Sequence, residues 1–184
     1  HGYFLGEKGL WYKRKAFERS ARSPLIIAAP GLTQGRHCNR PVELLDIYPT
    51  LADLCQLPPP ATLEGRSLRP LLRNPQAAWD KPAVTQIWHS KKAWGYSLRT
   101  QRYRYTAWLD GKAGRELYDH KADPEEVTNL ADDPQYTPVV QRLSQQLQPF
   151  QQLPPHKRQA GQNGSKSRQN SGQKGSPKGD DKSR

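Results

Sequence analysis

The sequence predicts an α/β protein, in which the edge of an α/β layer precedes a small antiparallel sheet, a C-terminal helix and a disordered tail. Three observations favour this interpretation: a short apolar run between prolines, four short aromatic and β-branched segments, and a final stretch with one apolar stripe. The predicted organisation is 1–78 for the α/β layer, 79–150 for the small antiparallel part and 151–184 for the tail.

The first part alternates helix and strand signals. Residues 13–22 can form a short helix, and the apolar residues 25–29 lie between Pro24 and Pro30, which predicts a strand buried on both faces, as in parallel sheets. A helix is predicted within 41–57, with Asp46 as its N-cap and Pro49 in its first turn. Its apolar positions at helical spacing are Ile47, Leu51, Leu54 and Cys55.

The second part predicts an antiparallel meander. Turn-like segments separate four runs of strand-forming residues, at 83–88, 95–99, 103–108 and 116–118. In the third run, alternation places Tyr103, Tyr105 and Ala107 on one face and Arg104, Thr106 and Trp108 on the other. We expect Arg99 and Arg104 to pair with acids across strands. The last helix has an apolar stripe predicted to lie on the meander, formed by Tyr136, Val139, Val140, Leu143, Leu147 and Phe150.

The chain is strongly basic, and half of its charge lies in the tail. Lys and Arg number 29 against 17 Asp and Glu, for a net charge of +12, and residues 151–184 contribute eight basic and two acidic residues, a net of +6. The tail lacks the apolar residues that a core needs, so we expect it to be disordered. Its charge fits polyanion binding or a solvated tail, and the absence of interleaved aromatic residues argues against specific nucleic-acid binding.

Composition excludes other classes of protein. No apolar run approaches the ~20 residues needed to cross a bilayer, so no membrane span is expected. Cys38 and Cys55 are too few for a disulfide framework and lack metal-site spacing, which predicts two unconnected thiols. The sequence contains no Met and begins with His1, so we expect it to be part of a longer protein.

The first thirteen residues combine glycines with His, Glu and Lys. Glycines at positions 2, 6 and 9 indicate a backbone with special dihedral angles or a close approach to another group. The residue types fit a loop that grips an anion beside a metal-binding residue, or simply a glycine-rich surface loop.

A series of short motifs, in a fixed order up to about Phe150, resembles the sulfatases of the alkaline phosphatase superfamily. The motifs are Gly6-Glu7-Lys8-Gly9, Trp11-Tyr12-Lys13, Asp46-Ile47-Tyr48-Pro49-Thr50-Leu51, Gly95-Tyr96-Ser97-Leu98-Arg99-Thr100, Glu116-Leu117-Tyr118-Asp119 and Asp123-Pro124-Glu125-Glu126. The pattern is most similar to the C-terminal part of iduronate-2-sulfatase and its bacterial relatives. The predicted fold is then the C-terminal edge of the sulfatase sheet domain, with its small antiparallel subdomain.

The resemblance implies hydrolysis of a sulfate ester with calcium and formylglycine as cofactors. It places His1 at the metal or beside it and Lys13 on the sulfate, where an ammonium acts as a point positive charge. Gly2 would let the backbone pass close to the metal, and Lys8 falls on a variable position that we expect at the surface. His89, at the end of a meander strand, is a candidate substrate contact.

The formylglycine motif of this family is Cys or Ser, any residue, Pro, any residue, Arg, and the chain lacks it. Cys38 precedes Asn-Arg-Pro and Cys55 precedes Gln-Leu-Pro, so neither fits. We therefore expect this chain alone to be inactive and its partners to be the missing N-terminal part of the catalytic domain and a sulfated sugar or other sulfate ester. The resemblance implies a periplasmic, secreted or lysosomal enzyme.

Two alternatives remain open at this point. A phosphate or phosphonate ester hydrolase of the same superfamily would look alike in this half of the molecule. A non-catalytic, basic polyanion-binding fragment would account for the net charge without any reaction.

Overall fold

The computed structural model describes residues 2–90 and 93–151, with the side chains of residues 89, 90 and 93 left out. The compact unit of residues 1–153 contains all the described residues, and residues 152–184 lie outside them. The predicted disorder of the tail therefore concerns residues that the structure does not describe. The boundary between 78 and 79 stays a prediction.

Six strands and four α-helices make up the described chain. The strands are β1 (Phe4–Leu5), β2 (Trp11–Tyr12), β3 (Ala83–Ser90), β4 (Ala93–Arg99), β5 (Tyr103–Trp108) and β6 (Arg115–Asp119). The helices are α1 (Glu18–Ala21), α2 (Ile47–Leu54), α3 (Arg69–Arg73) and α4 (Thr137–Gln151). Within this part of the chain, no helix is long and apolar enough to cross a membrane.

The predicted meander is confirmed. Strands β3 to β6 form one antiparallel sheet in chain order, and β1 and β2 form a separate two-stranded ribbon. In the sheet, Leu98 pairs with Tyr105 and Tyr105 pairs with Leu117, so these side chains share one face. That face carries the core, as the alternation in β5 predicts.

Helix α4 covers the apolar face of the sheet, which confirms its predicted stripe. Val140, Leu143 and Leu147 are buried in the same cluster as the sheet residues, and Tyr136, Val139 and Phe150 pack at its margin. Burial of large apolar side chains from both the sheet and α4 gives this part of the chain its hydrophobic stabilisation.

The opposite face of the sheet is also covered, and there the cover is the N-terminal segment. The Phe17 ring lies 5.8 Å from the Tyr118 ring, centroid to centroid, and the buried Phe4 packs edge-on to Phe17 at 6.1 Å. Gly2 lies so close to α1 that a Cβ built on it would be 2.2 Å from the carbonyl oxygen of Arg19. Residues 2–21 are therefore joined closely to the small sheet.

The prediction of a buried strand at 25–29 is wrong for the described structure. This segment is irregular, and Ile26 is 91% exposed. An isolated strand leaves its backbone N–H and C=O groups without partners, and no described strand lies beside this one. The predicted helix at 13–22 is confirmed only in its last turn, α1.

Helix α2 forms where predicted, with Pro49 in its first turn, but Asp46 does not cap it. The Asp46 carboxylate instead accepts hydrogen bonds from the backbone N–H groups of Glu43 at 2.9 Å and Arg66 at 2.8 Å, and from the Lys81 ammonium at 2.8 Å. Its oxygens are thus occupied by one local contact, part of a capping box with Glu43 at the preceding 3₁₀ turn, and by two tertiary contacts. The buried residues of α2 are Pro49, Thr50 and Ala52, whereas Leu51 and Cys55 of the predicted stripe are exposed.

Candidate functional site

The glycine-rich segment forms a short ribbon. Phe4 pairs with Tyr12 and Leu5 with Trp11, and the connection between them is a 3₁₀ turn at Glu7–Gly9. Gly6 has φ 118°, a value that L side chains rarely adopt, which explains the need for glycine there. The ribbon places Lys13 directly after its second strand.

Lys13 is exposed at the end of this ribbon. Its Nζ atom lies 5.6 Å from the centroid of the Tyr3 ring. Both neighbours, Tyr12 at φ 69° and Arg14 at φ 73°, adopt left-handed backbone conformations. Such conformations cost on the order of 1–3 kcal/mol each in residues other than glycine and are found preferentially at functional sites. This geometry presents a cationic group to solvent, where an anionic ligand can reach it.

The other two predicted site residues cannot be placed. His1 lies outside the described residues, and His89 lies in β3 but its side chain is not described. Their predicted roles, at the metal and on the substrate, stay predictions.

Behind the ribbon, a network of buried charged side chains connects α1 to the sheet. Arg104 on β5 donates to both Glu18 and Glu126, and the Arg104 and Glu126 side chains are only 3% and 2% exposed. His120 Nε2 lies 2.9 Å from Glu126 Oε1, and His120 Nδ1 lies 2.9 Å from Arg99 Nη2. Arg99 Nε also donates to Glu18 Oε2 at 3.3 Å. Two carboxylates and two guanidinium groups therefore neutralise one another within this network.

The two arginines lie directly opposite each other on neighbouring strands, a like-charge pair that the glutamates compensate. Burial, together with the Arg104 charge, lowers the pKa of Arg99 although Glu18 counteracts this. Burial alone would raise the pKa of Glu126, but the hydrogen bond with His120 and the Arg104 charge outweigh it, so the pKa of Glu126 is lowered.

Glu18, His120 and Glu126 have ligand atoms within 4.8 Å of one another, as a metal site would need. The carboxylate oxygens nevertheless already accept hydrogen bonds from Arg104, whose positive charge occupies the place of a cation. This cluster thus does not fit a calcium ion.

The prediction that Arg99 and Arg104 pair with acids is confirmed, but the prediction that these acids lie across strands is wrong. The acids come from α1 and from the turn after β6, not from neighbouring strands. His120 lies in the turn after β6 and also joins the network. The roles of His120 and Glu126 were missed, and the Asp-Pro-Glu-Glu motif was the signal available to find them.

Lys8 is exposed, as expected from its variable position, but it is not a free surface group. Its ammonium donates to the backbone carbonyl of Glu126 and lies 4.9 Å from the Phe17 ring centroid. The two cysteines are exposed and unpaired with each other, in agreement with the expectation of separate thiols.

Comparison with protein families identifies the chain. The family model for the C-terminal domain of N-sulphoglucosamine sulphohydrolase matches residues 6–153. The match includes Lys13 and the ribbon strand β2 that precedes it, together with the whole four-stranded sheet and α4, whereas β1 lies before it. The chain therefore belongs to this family of sulfatase C-terminal domains.

Individual relatives agree with the family. A sulfatase of Formosa agariphila is 34% identical over 143 residues, which cover 78% of this chain and 27% of the relative. The Δ4,5-hexuronate-2-O-sulfatase of Bacteroides thetaiotaomicron is 38% identical over 134 residues, covering 67% of this chain and 27% of that enzyme. This chain thus spans about a quarter of the length of these relatives.

A solved structure shows the same fold. The structure of BT4656 in complex with its substrate D-glucosamine-2-N,6-O-disulfate is 30% identical with a TM-score of 0.68, covering 82% of this chain and 32% of that one. The α/β fold with its antiparallel sheet and C-terminal helix is therefore that of the sulfatases.

Proposed function

We propose that this chain is the C-terminal part of an enzyme that hydrolyses sulfate esters of sugars, and that Lys13 binds the sulfate. The observation that carries the proposal is the exposed Lys13 ammonium, which the ribbon holds at a family motif between two left-handed residues. An ammonium at this place would neutralise charge on the sulfate oxygens as the S–O bond breaks. The phosphate or phosphonate ester alternative remains, since the same cation suits either anion.

Two relatives support a proposal for the substrate class. One of them acts on 2-O-sulfated Δ4,5-hexuronate, and the neighbouring structure holds a sulfated glucosamine. We propose a 2-O-sulfated hexuronate of a glycosaminoglycan-type chain, because the hexuronate sulfatase is the more similar in sequence.

The proposed cofactors are calcium, with His1 at or beside the metal, and a formylglycine supplied by sequence that precedes His1 in the complete protein. When bound, calcium would supply a Lewis acid for the sulfate oxygens. The described residues contribute Lys13 and the scaffold that holds it.

The test uses the complete protein that contains this chain. Release of sulfate is measured from 2-O-sulfated hexuronate disaccharides and from 6-O-sulfated glucosamine. Release of phosphate from an aryl phosphate is measured to test the alternative. We expect Lys13→Gln to lower kcat/KM by about 100-fold or more, the usual effect of removing one charge-stabilising group. Arg14→Gln, at the exposed neighbouring position, is the matched control and should change it little.

Two results would contradict the proposal. Equal activity of wild type and Lys13→Gln would show that Lys13 does not bind the sulfate. Phosphate release without sulfate release would show that the protein is a phosphate ester hydrolase instead.

A further inference from the structure

Residues 8–18 contain Lys13 and are held at both ends by one residue that lies far away in the sequence. At the first end, the Lys8 ammonium donates to the backbone carbonyl of Glu126. At the second, the backbone N–H of Glu18 donates to Glu126 Oε2 at 2.7 Å. The connecting residues 9–17 include β2 and Lys13.

Glu126 accepts hydrogen bonds from Lys8 and from Glu18 at the same time, through its backbone carbonyl and its carboxylate. It has φ 58°, a conformation that glycine adopts more readily, but a glycine would lack the carboxylate that receives the Glu18 N–H. The side chain is buried, and its other oxygen accepts from Arg104 and contacts His120. The carboxylate is thus fixed to the sheet at β5 and to the turn after β6.

We propose that Glu126 is a positioning residue for Lys13: it holds both ends of the 8–18 segment against the antiparallel sheet and thereby sets where the Lys13 ammonium lies. This inference rests on the proposed role of Lys13 in binding sulfate. The proposal also gives the small sheet a function, because Arg104 on β5 holds the Glu126 carboxylate, which in turn holds the segment that contains Lys13.

The test compares Glu126→Gln with Glu125→Gln in the complete protein. Glu125 is the exposed neighbour, and its carboxylate pairs with Arg19 outside the network. Hydrogen–deuterium exchange is measured for peptides covering 8–18 and, as an internal reference for global unfolding, for peptides of α4. We expect exchange in 8–18 to accelerate by about tenfold more than exchange in α4 in Glu126→Gln, as for the loss of one hydrogen bond to a charged group, with both unchanged in Glu125→Gln.

Enzyme kinetics supply the second readout. A displaced Lys13 should raise KM for the sulfate ester by about tenfold in Glu126→Gln, since a misplaced group loses binding, while Glu125→Gln keeps the wild-type value. Unchanged exchange in 8–18, or acceleration there matched by α4, would overturn the inference. If the wild-type protein hydrolyses no sulfate ester, the proposed function fails, and the exchange data alone still decide whether Glu126 holds the segment.

A second variant serves if Glu126→Gln does not fold. Lys8→Met removes the bond to the Glu126 carbonyl from an exposed position and keeps an apolar side chain against Phe17. Lys112→Met, an exposed lysine in another turn, is its control. Faster exchange in 8–18 in the first variant alone supports the inference, and equal exchange in both refutes it.

Discussion

Replacement of Arg104 by Met tests the buried charge network most directly. The change removes a guanidinium that donates to Glu126, to Glu18 and, at 3.2 Å, to the Ser97 hydroxyl. Breaking a buried ion pair by removing one partner costs about 3–5 kcal/mol, because the remaining charge stays buried without compensation.

The structure places the expected loss near the lower end of that range. Glu126 keeps His120 at 2.9 Å and the Glu18 N–H at 2.7 Å, and Glu18 keeps Arg99 at 3.3 Å. Removing Arg104 also relieves its repulsion of Arg99 on the neighbouring strand. We therefore expect a loss of about 3 kcal/mol in the free energy of unfolding.

The assay is a double-mutant cycle measured by urea unfolding with tryptophan fluorescence. Arg104→Met, Glu126→Gln and the double variant are compared with wild type. Because Arg104 and Glu126 are in contact, the double variant should lose less than the sum of the two single losses. Additive losses in the cycle would refute the account of the network. A loss below about 1 kcal/mol for Arg104→Met would also refute it, because an exposed ion pair contributes no more than that.

The remaining predictions concern the core, the sheet and the dependence on pH. Leu143→Ala, at a side chain that is 1% exposed, should cost about 2–5 kcal/mol in urea unfolding, whereas exposed Leu5→Ala should change stability by less than about 0.5 kcal/mol. Gly95→Ala should lower Tm, because its Cβ would lie 2.8 Å from the Ala107 carbonyl oxygen; an unchanged Tm would show that β4 and β5 do not approach so closely. The pKa of Glu126 is lower in the folded than in the unfolded protein, so its stabilisation is present above the unfolded pKa of about 4.3 and is lost as the pH falls through the folded pKa. Tm should therefore decline in acid more steeply for wild type than for Glu126→Gln, and parallel curves would contradict this.

Local sequence patterns were sufficient for the small sheet and its helix. Alternation along β5 separated the core residues Tyr103 and Tyr105 from Arg104, and the stripe of α4 identified the face that packs on the sheet. These patterns work because the repeat of a strand or helix decides which side chains point together.

The same patterns failed where the environment decides the outcome. The apolar run at 25–29 is compatible with a buried strand, yet it is irregular and exposed where no described strand pairs with it. Asp46 has the residue type of an N-cap, but its carboxylate accepts from Glu43, three residues earlier, and from the distant Arg66 and Lys81. A local preference of about 1 kcal/mol is readily overridden by such contacts.

For the candidate site, the sequence alone pointed to Lys13 through its motif, and to the antiparallel sheet through its periodicity. Only the tertiary structure decided that Glu126 binds both Lys8 and Glu18, and that Arg104 pairs with these two glutamates. Those partners are separated by 22 to 118 positions along the chain. Strand and helix repeats act over a few residues, whereas the partner of a buried charge depends on which distant segments the packing brings together.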